Sequence, residues 1–71
     1  MNIKAIGNNI GNYIARNRMT QKELAEKLRI TEASMSRYIS GDRIPKATLL
    51  YRMSKMLGCT MEDLCYGMEN E

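Results

Sequence analysis

The sequence predicts an all-α fold, a compact bundle of five short helices. Apolar residues recur at steps of three or four along most of the 71 residues, which is the period of an amphipathic helix. Valine is absent and no segment alternates apolar with polar residues, so strands are not expected. Thr20, Thr31 and Thr60 each precede a run with helical spacing, and threonine is a common amino-terminal helix cap.

The first helix is expected at about residues 3–18. Gly7 and Gly11 lie within it, and each costs roughly 1 kcal/mol relative to alanine in a helix interior. We interpret both glycines as sites where a neighbouring helix approaches closely. The apolar stripe of this helix consists of isoleucines at steps of three or four: Ile3, Ile6, Ile10 and Ile14.

Residues 21–28 and 32–40 are predicted to form the second and third helices. Thr20 and Glu23 have the spacing of a capping box, in which each side chain binds the backbone amide of the other residue. The connection, residues 29–31, is only three residues long, and two short helices joined by such a turn cross at roughly 90–120°. The sequence therefore predicts a helix-turn-helix, with the other three helices as its support.

The fourth and fifth helices are expected at about residues 46–57 and 61–66. Gly41 and Gly58 are the natural ends of the third and fourth helices because glycine readily takes left-handed backbone angles. Pro45 restarts the chain toward the fourth helix. No repeat, low-complexity segment or linker divides the sequence, so residues 1–71 are expected to form one domain.

The charges are unevenly distributed. Residues 1–61 hold all eleven basic side chains and four of the eight acidic ones, a net charge of +7, and the last ten residues hold the other four acids. A basic body with an acidic end indicates a polyanionic partner rather than an acidic small molecule. The alternative is an ordinary solvated surface.

Several classes of function are not expected. With no histidine, no phosphate-binding loop and no partner to activate a serine, the sequence does not indicate an enzyme or a small-molecule substrate. Two cysteines without histidine make a metal site unexpected, and no cofactor is implied. No apolar run approaches the roughly 18 residues of a membrane helix. Seven methionines, two cysteines and no signal peptide indicate a reducing cytoplasm. Cys59 and Cys65 are interpreted as small buried apolar residues, the alternative being a redox switch.

The run "QKELAEKLRITEASMSRYI", followed by "SGDRIP", resembles the helix-turn-helix of the phage Cro and repressor family, also called XRE-like. The resemblance rests on the leading Gln21, the small Ala25 and the apolar spacing, and it extends over nearly the whole chain. It implies a lambda-repressor-like fold whose third helix enters the major groove of double-stranded DNA. It also implies a cytoplasmic transcriptional regulator of Cro-type length, expected to be a repressor from a phage or another mobile element. The alternative is a protein-interaction module, antitoxin-like or an accessory subunit, that keeps the fold without specific DNA binding.

The resemblance also implies roles for particular residues. Arg37 is expected to bind a guanine edge through two hydrogen bonds, with a phosphate contact or simple solvation as alternatives. The carboxylate of Glu32 suits either of two roles: it accepts a hydrogen bond from cytosine N4, or it interacts favourably with the positive end of the helix dipole. The expected base contacts are Glu32, Ala33, Ser36 and Arg37. The expected contacts to the DNA backbone are Gln21, Thr31, Ser40, Arg43 and Lys46.

A single recognition helix covers few base pairs, so a homodimer on a near-palindromic operator is expected, formed either in solution or only on DNA. Its surface is expected at the acidic, methionine-bearing end of the chain, where apolar groups would lie near the surface. The alternative is that these side chains only cap the core. The candidate interface residues are Met61, Leu64, Tyr66 and Met68.

The sequence departs from the family pattern at three places. Arg29 occupies a turn position that is commonly glycine, so the turn either keeps a left-handed angle at a cost of about 1 kcal/mol or is rewound. Ile14 and Ile39 replace an arginine and a glutamate that pair in many relatives, and the two isoleucines are expected to touch in the core. Lys46 stands where relatives often have a serine or aspartate cap.

Overall fold

The computed structural model describes residues 3–66 of the chain, without the side chain of Ile3. All described helices are α-helices, and no strand occurs within residues 3–66. The five expected helices are therefore confirmed. Their bounds are α1 Ile3–Arg16, α2 Gln21–Leu28, α3 Glu32–Ser40, α4 Ala47–Leu57 and α5 Met61–Tyr66.

The first helix is two residues shorter than expected. Residues 17 and 18 form a turn instead, and Arg18 takes a left-handed backbone angle, with φ at 53°. The amide of Met19 donates to the carbonyl of Ile14 at 3.0 Å, which closes the helix end. The continuation of helical spacing to residue 18 did not reveal this stop, because neither glycine nor proline marks it.

The fourth helix begins at Ala47, one residue later than expected. Lys46 is the residue before it, with extended backbone angles and no hydrogen bond from its side chain to the helix end. A lysine side chain has donors but no acceptor, so it cannot bind the free amides at a helix start. The carbonyl of Lys46 still accepts the first helical hydrogen bond, from the amide of Leu50 at 2.9 Å.

One apolar core joins all five helices. The largest side chains that are completely buried come from every helix, and each contributes roughly 1.5–3 kcal/mol relative to an exposed position. Ser54 is the one polar side chain buried in the described chain, and its hydroxyl donates to the carbonyl of Tyr51. The completely buried residues are Ile6, Ile10, Leu24, Leu28, Met35, Met53 and Leu64.

The two glycines of α1 differ in their surroundings. A Cβ atom at Gly7 would lie 2.1 Å from the carbonyl oxygen of Ile39, so α1 and α3 are in backbone contact there. A Cβ atom at Gly11 would meet no atom of the described residues within 4 Å. The expectation of close helix approach is confirmed for Gly7 and wrong for Gly11, because α3 crosses α1 near its start and has diverged one turn later.

The same crossing bears on the pair Ile14 and Ile39. Both side chains are half-buried and pack against the core. The backbone of Ile39 contacts Gly7, which precedes Ile14 by seven residues, a distance of about 10 Å along a helix axis. Both residues therefore lie on apolar surface as expected, while a contact between their two side chains stays a prediction.

The short α5 is tied to α1 by a polar side chain. The Nδ2 atom of Asn9 donates to the carbonyl oxygens of Asp63, at 3.3 Å, and Leu64, at 3.2 Å. The same amide group donates to the carbonyl of Ala5 within α1, at 2.9 Å. These bonds fix α5 against the helix that also supports α3.

Candidate nucleic-acid interface

The helix α2 begins with a complete capping box. The amide of Glu23 donates to Oγ1 of Thr20 at 3.0 Å, and the amide of Thr20 donates to Oε1 of Glu23 at 2.8 Å. Two of the amides that lack partners at the start of a helix are thereby satisfied. The expected box is confirmed, and it orients the exposed amino end of α2, where Gln21 is the first residue.

The turn between α2 and α3 keeps a left-handed residue. Arg29 has φ 61° and ψ 42°, and its amide donates to the carbonyls of Ala25 and Glu26. The amide of Ile30 also donates to Ala25, at 3.0 Å. Of the two alternatives for this turn, the structure has the left-handed one, with an arginine in a conformation that costs a non-glycine residue about 1 kcal/mol.

The helix α3 is capped at both ends. Its amino end receives a hydrogen bond from the amide of Ser34 to Oγ1 of Thr31, at 3.0 Å. Its carboxyl end closes at Gly41, with φ at 89°, and the Gly41 amide donates to the carbonyl of Arg37. Both caps were expected from the sequence, and together they keep the nine-residue helix regular over its whole length.

The two faces of α3 are sharply different. Met35 is completely buried and Tyr38 is 9% exposed, so this side packs into the bundle. The opposite side is exposed to solvent, and its polar side chains form no hydrogen bond or ion pair with any other residue in the 3–66 range. The guanidinium of Arg37 therefore has all of its donors available. This outward face consists of Glu32, Ala33, Ser36 and Arg37.

A family model described as Helix-turn-helix matches residues 12–64. The chain belongs to the Cro/XRE-like helix-turn-helix family. It is a DNA-binding regulator of that type, in a family of DNA-binding regulatory domains rather than enzymes. No curated protein and no solved structure matches the chain.

In this helix-turn-helix protein, all five residues expected to contact the DNA backbone are exposed. Three of their side chains have no hydrogen-bond partner in the described part of the chain: Gln21, Arg43 and Lys46. Gln21 stands beside the free amides of the α2 amino end, which favour an anion. Arg43 and Lys46 lie in the loop that joins α3 to α4.

The other two expected backbone contacts are already engaged within the protein. The hydroxyl of Thr31 donates to Oγ of Ser34 at 3.0 Å, and the hydroxyl of Ser40 donates to the carbonyl of Arg37 at 3.1 Å. A hydroxyl has a single hydrogen to donate. A phosphate contact from Thr31 or Ser40 must therefore exchange an internal hydrogen bond for an external one.

Ser34 is a polar residue at this surface that the sequence analysis missed. It is half-buried, and its Oγ atom accepts from Thr31, so its own hydroxyl hydrogen has no acceptor among the described residues. The spacing was a usable signal, since Ser34 is the third helical residue after the Thr31 cap, the position that a capping-box partner occupies.

The candidate dimer surface needs one correction. Leu64 is completely buried in the core of its own bundle, so the expectation that it lies near the surface is wrong. Its position opposite Asn9 and α1 leaves it no exposed atoms for a second protomer. Tyr66 is 55% exposed and Met61 is half-buried. Met68 lies outside the described residues.

Both cysteines are free thiols in the structure. Cys65 belongs to the core cluster and Cys59 packs against it, in agreement with their interpretation as small apolar residues. Burial raises the pKa of the Cys59 thiol, and the negative charge of Asp63 and the neighbouring Cys65 raise that pKa further. A raised pKa lowers the fraction of reactive thiolate.

Within residues 3–66, no group of three or more cysteine, aspartate or glutamate side chains is arranged to hold a metal ion. The described helices also include none with the length and apolar character needed to cross a bilayer.

Proposed function

We propose that the chain is a transcriptional repressor that binds a near-palindromic operator as a homodimer. The observation that supports this best is the outward face of α3, which is exposed, lies on a regular helix and has no side-chain partner among the described residues. A face of this kind suits insertion into the major groove, where each base pair presents a distinct pattern of donors and acceptors.

In this proposal Arg37 reads guanine through two hydrogen bonds to O6 and N7, a contact that discriminates by about 1–3 kcal/mol. Glu32 accepts a hydrogen bond from cytosine N4, and Ala33 touches a thymine methyl group. Ser36 faces the same groove and binds whichever donor or acceptor lies opposite. Four neighbouring side chains of this size cover only a few base pairs.

Anchoring to phosphates is proposed for side chains around this helix. Within residues 3–66 the side chains of Gln21, Arg43 and Lys46 have no hydrogen-bond partner, so their phosphate contacts break no hydrogen bond of this part of the chain. Thr31 and Ser40 contribute only by giving up their bonds to Ser34 and Arg37. Such contacts position the protein on the duplex and carry little sequence information.

The dimer surface is proposed at Met61 and Tyr66 of α5, without Leu64. Supporting this, Tyr66 is 55% exposed, and residues 62–71 carry four acids and no base, so this end is electrostatically unsuited to DNA. A two-fold dimer presents its recognition helices to half-sites about 34 Å apart.

The test begins with selection of bound duplexes from a random pool, followed by titration of the selected duplex and a scrambled one at two salt concentrations. We expect a near-palindrome, two chains per duplex, and a steep salt dependence from the phosphate contacts. Equal and weak binding to both duplexes would exclude a specific regulator and favour the protein-interaction alternative.

The dimer surface is tested with the matched variants Tyr66→Glu and Tyr51→Glu, since Tyr51 is also exposed, at 53%, but lies on α4. Tyr66→Glu is expected to reduce binding to the palindrome to the affinity for a single half-site, as measured by titration and sedimentation. The reverse result would move the dimer surface to α4.

A further inference from the structure

A basic side chain on α4 reaches the turn of the helix-turn-helix. The Nη2 atom of Arg52 donates to the backbone carbonyl of Leu28, 24 residues earlier in the chain. Leu28 is the last residue of α2, and its carbonyl is one of the four at a helix end that have no partner within the helix. Arg52 thus supplies a partner to the end of α2 from a different part of the fold.

The same peptide unit is held from its other side. The amide of Arg29, which belongs to the peptide bond after Leu28, donates to the carbonyls of Ala25 and Glu26. Both polar groups of the Leu28–Arg29 peptide are therefore hydrogen-bonded, one to α2 and one to α4. The peptide bond itself is planar, so holding both groups fixes its orientation.

This peptide controls the direction in which the chain leaves α2. Its orientation sets ψ of Leu28 and φ of Arg29, and φ of Arg29 lies in the left-handed region at 61°. A non-glycine residue is strained there, so this part of the turn tends to rotate toward other backbone angles unless it is restrained. A rotation at this point changes the angle between α2 and α3.

We propose that Arg52 is a positioning residue for DNA recognition: by binding the Leu28 carbonyl, it fixes the angle of α3 relative to α2. This inference rests on the proposed function for its effect on DNA. We assign Arg52 to the turn rather than to a base or a phosphate because the contact that the structure gives its side chain is to the Leu28 carbonyl. Residue spacing in the sequence does not predict this contact, because the contact depends on how α4 packs against the end of α2.

The central test compares Arg52→Met with Lys55→Met. Each removes one positive charge from an exposed position of α4 and keeps an unbranched side chain, but the Lys55 ammonium lies over the Tyr51 ring at 5.2 Å rather than on a carbonyl. Arg52→Met is expected to weaken binding to the selected duplex by about tenfold, the equivalent of one hydrogen bond from a charged donor. Lys55→Met is expected to have only the small effect of a screened surface charge.

Two further measurements separate positioning from charge. Binding to the scrambled duplex should keep the same salt dependence in both variants, because no phosphate contact is removed. Arg52→Lys, which keeps one charged donor, should recover most of the lost affinity. Equal losses in Arg52→Met and Lys55→Met, on both duplexes, would show that Arg52 contributes only charge and would overturn the proposal.

A measurement without DNA keeps this inference separate from the proposed function. In the free protein, the amides of Arg29 and Ile30 should exchange with solvent faster in Arg52→Met and at the wild-type rate in Lys55→Met. Unchanged exchange in Arg52→Met would overturn the positioning role even if DNA binding fell. If no duplex were selected at all, the proposed function would fail while the exchange rates still tested the role of Arg52. Should Arg52→Met prove unfolded, Arg52→Gln takes its place in both comparisons, since it also removes the charged donor and puts a polar side chain at this exposed position.

Discussion

The carbonyl oxygen of Ile39 lies where a side chain at Gly7 would begin, only 2.1 Å from the position of a Cβ atom. The carbonyl carbon of Ile39 is 2.9 Å from the same point. These are backbone atoms of α3, which cannot move aside as the end of a flexible side chain can. The close packing of α3 on α1 thus depends on the absence of a side chain at Gly7.

We expect Gly7→Ala to destabilise the protein by about 1–3 kcal/mol, because α1 and α3 must separate to admit the methyl group. The measurement is the free energy of unfolding from urea titration followed by circular dichroism. Gly11→Ala is the control on the same helix, since its new Cβ atom meets no atom within 4 Å in the part of the chain that the structure describes. Alanine also has the better helix propensity, so Gly11→Ala should stabilise by about 0.5–1 kcal/mol. Destabilisation by both variants would contradict this account of the crossing.

We expect Arg29→Gly to raise the free energy of unfolding by about 0.5–1 kcal/mol, because glycine takes the left-handed angle of 61° without the strain of a side chain. The gain is smaller than the strain itself, since glycine also increases the entropy of the unfolded chain. Lys27→Gly, two residues earlier and inside α2, should have the opposite sign at about 1 kcal/mol. A loss of stability in Arg29→Gly would mean that the arginine side chain has a stabilising contact.

We expect Arg37→Ala and Arg43→Ala to weaken DNA binding in different ways. Arg37→Ala removes a contact to two guanine atoms, so it should cost about 1–3 kcal/mol of binding free energy on the selected duplex and relax the preference at one base pair. Arg43→Ala removes a phosphate contact, so it should weaken binding about equally on all duplexes and reduce the salt dependence. The measurement is titration of duplexes changed at one position at a time. If Arg37→Ala weakened all duplexes equally, Arg37 would be a phosphate contact.

We expect Cys59 to react with iodoacetamide more slowly in the folded protein than in urea at the same mildly alkaline pH. Its pKa is raised by burial first and then by the charges of Asp63 and Cys65, so less of it is thiolate. The rate is followed on the Cys59 peptide by mass spectrometry. Asp63→Asn removes one cause and should bring the rate in the folded protein closer to the unfolded value.

The same shift has a consequence for stability. Because the folded protein holds the Cys59 proton more tightly, this thiol contributes stability that is complete below the pKa of the unfolded thiol and is lost as pH rises through the higher folded pKa. Cys59→Ala should therefore show a smaller alkaline fall in unfolding free energy than the wild type. An equal fall in both proteins would show that other groups cause it.

Local residue chemistry determined most of the fold. Thr20 with Glu23, Thr31, Gly41 and Gly58 mark helix ends through hydrogen bonds and backbone angles within a few residues, so their positions can be predicted without knowing the tertiary structure. The exposed face of α3 follows in the same way, because the apolar positions Met35 and Tyr38 determine which side is buried. Where the local signal is weak, the boundaries differ from the prediction: α1 ends two residues early at Arg16, and α4 begins one residue late at Ala47, because the backbone of Lys46 is extended.

Contacts between distant segments were decided only by the tertiary structure. Gly7 and Gly11 are indistinguishable by spacing, yet only Gly7 meets α3, because two crossing helices touch closely over a single turn. The spacing of Leu64 in α5 is compatible with both a surface and a core position. The packing of α5 on α1 buries it completely. From the sequence, Arg52 cannot be distinguished from a solvated arginine. Its contact with the Leu28 carbonyl follows from the packing of α4 beside the end of α2. The sequence by itself determined that five helices form and which side of each is apolar, because those depend on neighbouring residues. How the helices cross, and therefore which side chains meet, depends on the simultaneous packing of all five.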